Sequence, residues 1–385
     1  MKLAILTSHP VQYYAPWFRH IAGSGIELRV FYLWESGKQP RFDPGFGQNV
    51  AWDIPLLEGY DHEFVPNQAR DPGTHHFAGL HHPQLREQVA EWGPDAVLLI
   101  GYAWRSLMEF TLRWKRSRAP LLLRGDSHRL VPDLSWRGRL KDRIVRHLFS
   151  RYSAFLHCGT ANREYFLHHG ARPGQMFFCP HAVDMDRFQA TPLVAALAAD
   201  IRQEWNIPEG NRVVLFAGKL EDKKRPLDLL VAFQNLSPGR TTLVFVGSGE
   251  CSDALRSQAG EDPRVKFVPF HNQSTMPAVY AAADLFVLPS FGPRETWGLA
   301  VQEALACGVP VLVSDHVGCH PDLVHPDVNG AVFPAGNVPV LQQALARALE
   351  PGTLQRWGKS TRSSLDRHTY QQATEGLHEA LRALK

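Results

Sequence analysis

Short, almost wholly apolar runs recur through the chain. In the first half they fall at residues 3–6, 28–33, 96–100, 121–123, 154–157 and 177–179; in the second, at 213–217, 243–246, 265–268, 285–288, 311–313 and 331–333. Most are separated by stretches with helical periodicity, such as 228–235, 277–282 and 299–306. Strands this uniformly apolar are buried on both faces, as in a parallel sheet covered by helices. The rhythm predicts an α/β chain with two Rossmann-like parallel sheets in tandem, each binding ligands beyond the carboxyl ends of its strands. The break falls between Val183 and Arg212, where an Ala-rich stretch and the turn-rich IPEGNR precede the next strand. The expected division is 1–183, 184–365 and a terminal amphipathic helix within 366–385. No internal repeat or low-complexity tract is visible.

A length of 385 residues accommodates two domains, each with its own core. Hydrophobic residues make up 44% and charged residues 21%, as in globular chains. No apolar run reaches the roughly 18 to 20 residues of a transmembrane helix. The opening MKLAILTSHPVQYY has an apolar run of five residues, which suits a buried first strand and not a secretory signal. Cys158, Cys179, Cys251, Cys307 and Cys319 lack C-x-x-C spacing, which argues for a reducing, cytoplasmic compartment and against a zinc site.

Net charge is only +3, but residues 104–151 carry thirteen Lys/Arg against four Asp/Glu, so the remainder is acidic. Within this stretch Trp136, Leu140, Ile144 and Leu148 or Phe149 recur at helical spacing with Arg and Lys between them. Two readings follow: an interfacial helix on the anionic inner face of a membrane, or an amphipathic helix with a solvated basic face. No nucleic-acid module or aromatic stacking pattern accompanies the charge, so nucleic acid is not expected as a partner.

The chemistry concentrates in RETWGLAVQEALACGVPVLVSD, where Glu295 and Glu303 stand eight residues apart. The segment reads as a helix opening near residues 296–298 and stopping at Gly308, followed by a strand at 309–314. Gly298 gives a ligand access to first-turn amides, where free N–H groups and the helix dipole attract an anion. Glu303, on an Ala/Leu-rich helix, needs polar partners, and sugar hydroxyls fit. The plainer alternative is a helix-start acid and a solvated surface acid.

This arrangement resembles the E-x7-E motif of retaining glycosyltransferases with the GT-B fold, family 4 in particular. The resemblance is strongest from about Arg212 to Asn337. It implies two Rossmann-like domains facing an inter-domain cleft, a nucleotide-sugar donor (UDP- or GDP-sugar) on the second domain, an acceptor on the first, a terminal helix crossing back to the first domain, and no metal or other cofactor. It also implies roles. Lys219 and Lys224, after Gly218 in FAGKLEDKKRPLDLL, would neutralise a departing diphosphate; the family often has Arg at the first position. Gly247 and Gly249 in LVFVGSGE would let a base or ribose approach, and Phe270 would border the base pocket. Glu295 would touch the donor sugar, the amides of Thr296, Trp297, Gly298 and Leu299 the phosphates, and Glu303 the ribose. Trp297 stands where the family usually has Phe, and its ring is expected to pack.

In the first half, TSHPVQYYAPWFRH lacks the family's two loop glycines and offers His9, Gln12 and Tyr13 as acceptor contacts or loop caps. In LLLRGDSHR, Asp126 and His128 are candidates to orient the acceptor hydroxyl, with Arg124 pairing Asp126, or the pair only shapes the loop. Two metal-like patterns are discounted. Asp184-Met185-Asp186 lies in PHAVDMDRF, similar to the family's inter-domain P-x-x-V-D-x-x-x-F. His75-His76 and His81-His82 lie in a Gly/Pro-rich loop and are read as having no acid or cysteine partner. A non-catalytic nucleotide-sugar scaffold is the alternative function. A nicotinamide oxidoreductase is opposed by the missing G-x-G-x-x-G after the first strand. The expected product is a polysaccharide, lipopolysaccharide or glycolipid made at the membrane surface.

Overall fold

The computed structural model describes residues 1–35, 41–43, 45, 47–115 and 118–384. Arg116 and Ser117 of the basic stretch lie outside the described residues. The chain forms two compact units. Unit 1 comprises Met1–Pro40, Ile54–Ala182 and His368–Lys385; unit 2 comprises Arg41–Asp53 and Val183–Arg367. In chain order the strands are β1 (Lys2–Thr7), β2 (Glu27–Tyr32), β3 (Arg41–Asp43), β4 (Gln48–Val50), β5 (Asp61–Phe64), β6 (Ala96–Ile100), β7 (Leu121–Gly125), β8 (Ala154–His157), β9 (Met176–Phe178), β10 (Arg212–Ala217), β11 (Thr241–Val246), β12 (Val265–Val268), β13 (Leu285–Leu288), β14 (Val311–Ser314) and β15 (Gly330–Phe333).

Unit 1 holds a seven-stranded parallel sheet in the order β5-β2-β1-β6-β7-β8-β9. Its central strands are almost wholly buried, and every residue of β6 is buried. That two-sided burial is why they read as unbroken apolar runs. β5, with the sequence DHEF, pairs on one side only and has no fully buried residue, so its polar edge carries no such signal. The helix Tyr370–Ala383 packs on this unit. A Cβ at Gly376 would lie 1.8 Å from Phe178 O, so glycine lets the helix sit directly on the β9 backbone.

Unit 2 holds a six-stranded parallel sheet in the order β12-β11-β10-β13-β14-β15. By chain order within the unit this is 3-2-1-4-5-6, the doubly wound arrangement. The antiparallel pair β3–β4 comes from the first half of the chain but belongs to this unit. Ala51 O accepts from Asn272 Nδ2 at 2.6 Å, and Ser274 N–H donates to Asp53 Oδ1 at 3.1 Å. Among the described residues no helix is long and apolar enough to cross a membrane.

His82 is structural and gives unit 1 an acid limit. Its Nδ1 lies 2.9 Å from Ser106 Oγ, and that hydroxyl donates to Leu80 O at 2.8 Å, so Nδ1 carries the proton. Burial pushes the ring's pKa down from 6.5 to about 4. The unfolded chain therefore binds a proton that the folded one refuses between those values. The contribution is complete above pH 6.5 and is lost as pH falls toward 4. We expect a loss of up to about 3 kcal/mol across that window. Melting curves of wild type and His82→Gln would check it: the variant should show a shallower fall in melting temperature with acid.

Candidate functional site

In unit 2 the strand order reverses between β10 and β13, the switch point where doubly wound sheets bind ligands. Lys224 lies in the loop after β10 and Glu295 in the loop after β13. Glu295 Oε2 accepts from Lys224 Nζ at 2.8 Å and from Ser290 Oγ at 3.1 Å. The two side chains are only 15% and 13% exposed, so solvent screens the pair weakly. The neighbouring cations have other partners: Lys223 pairs with Glu221 at 2.9 Å, and Arg225 with Asp228 at 3.0 Å and Asp222 at 3.3 Å. Of these three adjacent cations, Lys224 is the one that bonds Glu295. Lys219 lies against Gly45: a Cβ there would come within 2.7 Å of both Lys219 Nζ and Glu221 Oε1.

The loop carrying Glu295 is held by its backbone. Gly318 N–H donates to Glu295 O at 3.0 Å and Cys319 N–H to Trp297 O at 2.8 Å. The helix begins at Leu299, with Gly298 as N-cap at φ 95°. A Cβ on Gly298 would also strike Val317 Cγ1 at 2.7 Å, so this glycine serves loop packing as well as backbone geometry. Trp297 is buried and its Nε1 donates to Gln302 Oε1 at 3.1 Å, as a packing residue should. Thr296 and Leu299 are partly exposed at the helix entry. Glu303 is 3% exposed, and its Oε2 accepts from Tyr280 OH at 2.8 Å. It is an oriented, shielded acceptor and not a solvated surface acid.

The two glycines after β11 serve the packing of loops. Gly247 (φ 126°) and Gly249 (φ 157°) turn their Cα hydrogens toward backbone: a Cβ would lie 2.2 Å from Gly218 O and 2.6 Å from Leu220 O, respectively. They let two loops touch, stitched by Leu220 N–H to Ser248 O at 2.9 Å and Cys251 N–H to Leu220 O at 2.9 Å. Gly218 (φ 140°) is the glycine whose missing side chain faces open space. Phe270 meets Trp52 edge-on at 6.3 Å, a contact with the β3–β4 excursion that the sequence pattern does not reveal. Tyr280 and Ser290 are equally unmarked in the sequence. A buried hydroxyl next to a buried carboxylate is their signal, and it exists only in three dimensions.

In unit 1 the candidates stand on the loops after β1 and β7. His9 Nδ1 lies 3.0 Å from Ser8 Oγ and its ring meets Trp34 edge-on at 5.9 Å; Gln12 and Tyr13 are partly exposed. Arg124 does not serve as the Asp126 partner that the sequence suggested. It is 2% exposed and lies over the rings of Tyr14 and Trp17 at 5.1 and 4.9 Å. It donates to Tyr14 OH at 3.1 Å and Pro180 O at 3.0 Å. Arg124 points back into the sheet because it is a strand residue, and it ties β7 to the segment after β9. Asp126 faces His181 instead, with Nε2 to Oδ2 at 3.7 Å. Burial, helped by Arg124, holds His181 below the usual histidine range. His128 is 6% exposed and its Nδ1 accepts from Leu130 N–H at 3.3 Å, so it braces its loop.

Two groups of described residues have metal-like spacing, Asp71/His75/His76 and Asp142/His168/His169. The first corrects the reading that these histidines lack an acid: Asp71 Oδ2 lies 3.1 Å from His75 Nε2 and 3.3 Å from His76 Nε2. Neither group contains a candidate of the transfer site. Asp184 Oδ1 accepts from Arg187 N–H at 3.1 Å, closing a turn.

The strand order of unit 2 is that of a doubly wound Rossmann-like sheet, with the Lys224–Glu295 pair and the helix that starts at Leu299 in the loops after its switch-point strands. Residues 198–364, all within unit 2, match the family described as glycosyl transferases group 1. The chain is 31% identical over 210 residues to D-inositol 3-phosphate glycosyltransferase of Saccharomonospora viridis, covering 51% of this chain and 47% of that protein. It is 34% identical over 171 residues to the protein of the same name from Mycobacterium tuberculosis, covering 43% and 34%. The chain thus aligns with about half or less of the length of these relatives. Two solved structures have the same fold over the whole chain. Anabaena Alr3699/HepE in complex with UDP has a TM-score of 0.76 at 20% identity and covers 100% of both chains. WaaG, a glycosyltransferase involved in lipopolysaccharide biosynthesis, has a TM-score of 0.66 at 17% identity and covers 100% of this chain and 99% of that one. The fold is GT-B.

Proposed function

We propose that the chain is a retaining, metal-independent glycosyltransferase. It moves a sugar from a nucleotide-sugar donor, UDP-linked in the first instance, to a hydroxyl of a glycan or lipid-linked acceptor. The observation that carries this reading is the shielded Lys224–Glu295 pair at the switch point of a group 1 unit. Solved relatives of the same fold were obtained with UDP and with UDP-glucose, which favours uridine as the base. Others of the same fold act in lipopolysaccharide synthesis, which favours a glycan or glycolipid acceptor.

The roles follow from charge. Lys224, with Lys219 beside the same strand end, neutralises the diphosphate as the bond from the sugar's anomeric carbon to phosphate oxygen breaks. Glu295, anchored by Lys224 and Ser290, accepts from donor-sugar hydroxyls, and Glu303 accepts from the ribose. The acceptor hydroxyl forms the new bond on the same face of the sugar, and its proton passes to the departing phosphate oxygen. His9, Gln12, Asp126 and His128 are assigned to positioning the acceptor.

The experiment is thermal stabilisation of unit 2 by UDP-, GDP-, ADP- and dTDP-sugars and by NAD, with Lys224→Ala alongside, followed by nucleotide release in EDTA. One nucleotide sugar at about 100 times its Kd should add about 2.7 kcal/mol, and Lys224→Ala should abolish the effect. Release of nucleoside diphosphate in EDTA then establishes turnover without metal, and the anomeric configuration of the product tests retention. Stabilisation without any release would make the chain a binding scaffold. Stabilisation by NAD alone would overturn the reading.

A further inference from the structure

The helix Trp136–Phe149 has two apolar faces. One is ordinary: Gly138, Val145, Leu148 and Phe149 are buried in unit 1. The other is opposite and uncovered. Trp136 is 69% exposed, Leu140 49% and Ile144 50%, at a four-residue spacing that forms one stripe. Leu134, just before the helix, is 73% exposed. These four account for most of the large hydrophobics that unit 1 leaves exposed. A helix folded only for its own core has polar residues on its outer face.

The flanks of the stripe are cationic. By helical angle Arg137 and Lys141 border it on one side and Arg139 and Arg143 on the other, and all four are exposed. Arg137 also lies over the Trp136 ring at 5.3 Å. The one acid of the helix, Asp142, is turned away: its oxygens lie 3.0 Å from His169 Nε2 and 3.3 Å from His168 Nε2. The outward charge is therefore positive. The stripe opens at a firm end, since Ser135 Oγ accepts from Gly138 N–H at 3.1 Å. Elsewhere in the basic stretch, Trp114 is 2% exposed.

We infer that this face is a docking surface for an anionic lipid bilayer, with Leu134, Trp136, Leu140 and Ile144 entering the headgroup boundary and the flanking arginines and lysine meeting lipid phosphates. An apolar stripe between rows of cations matches a surface that is negative outside and hydrocarbon beneath. A protein partner would need its own acidic frame around an apolar groove. The inference is independent of the donor reading, because none of these residues belongs to the donor site.

The test is co-sedimentation of the full chain with vesicles of phosphatidylcholine alone and of phosphatidylcholine with phosphatidylglycerol. The wild type should sediment with the anionic vesicles only, less so as salt rises. Trp136→Ser/Leu140→Ser/Ile144→Ser should lower partitioning about tenfold or more. Arg139→Gln/Arg143→Gln should lower it about 25-fold, since each cation near an anionic leaflet contributes about fivefold. All these side chains are exposed, so melting temperatures should stay put. Equal sedimentation with both vesicle types, or with neither, overturns the proposal. So does light scattering that finds a wild-type dimer broken by the triple variant, which would make the face an interface between copies.

Discussion

Lys224→Ala is expected to lower turnover by about 10²- to 10³-fold, the usual cost of removing one preorganised group that stabilises developing charge. The variant should still fold. It also strips Glu295 of its cationic partner in a setting where both side chains are at most 15% exposed, so unit 2 should lose about 1–3 kcal/mol. Because the two residues act through one 2.8 Å contact, their effects should not add. Glu295→Gln alone should cost turnover on a similar scale, and the double variant should cost much less than the product of the two. Measuring nucleotide release for both single variants and the double checks this. Full additivity would mean that Lys224 and Glu295 serve separate tasks and meet only in the ligand-free state.

Gly247→Ala should be among the most damaging single methyl groups in unit 2. It asks alanine to hold φ 126°, and it puts a Cβ 2.2 Å from Gly218 O. Strain and overpacking together should cost about 2–4 kcal/mol. The loop that yields is the one carrying Lys219, so donor affinity should fall as well. Gly218→Ala is the informative contrast. It is strained at φ 140° but meets nothing within 4 Å, so it should cost less stability. Its methyl points into the open space beside the strand end and should weaken donor binding directly. Melting temperatures with and without nucleotide sugar separate the two outcomes: Gly247→Ala lowers the unliganded melt more, Gly218→Ala the ligand-induced rise.

The contrast between these glycines marks the limit of motif reading. Gly218, Gly247 and Gly249 look alike in sequence, each following an apolar strand. Only the packing of the loops after β10 and β11 shows that two of them face neighbouring backbone and one faces space. Arg124 teaches the same lesson. Its neighbour in sequence, Asp126, seemed its natural partner. Arg124 is a buried residue of β7 that reaches Tyr14, Trp17 and Pro180, whereas Asp126 lies in the loop beyond the strand and faces His181.

The apolar rhythm was enough to determine two parallel α/β sheets, because strands buried on both faces must be apolar throughout. The positions of Glu295, Glu303 and Lys224 in the sequence were enough to place them after apolar strands and at the entry of a helix, because helix period and loop position follow from local sequence. Tertiary structure alone decided which lysine reaches Glu295, that Tyr280 holds Glu303, and that the excursion carrying Trp52 belongs with unit 2. It also decided that Trp136, Leu140 and Ile144 face outward and Leu148 and Phe149 inward. These outcomes depend on contacts between residues far apart in the chain. No local propensity or periodicity encodes which of several similar side chains will make such a contact.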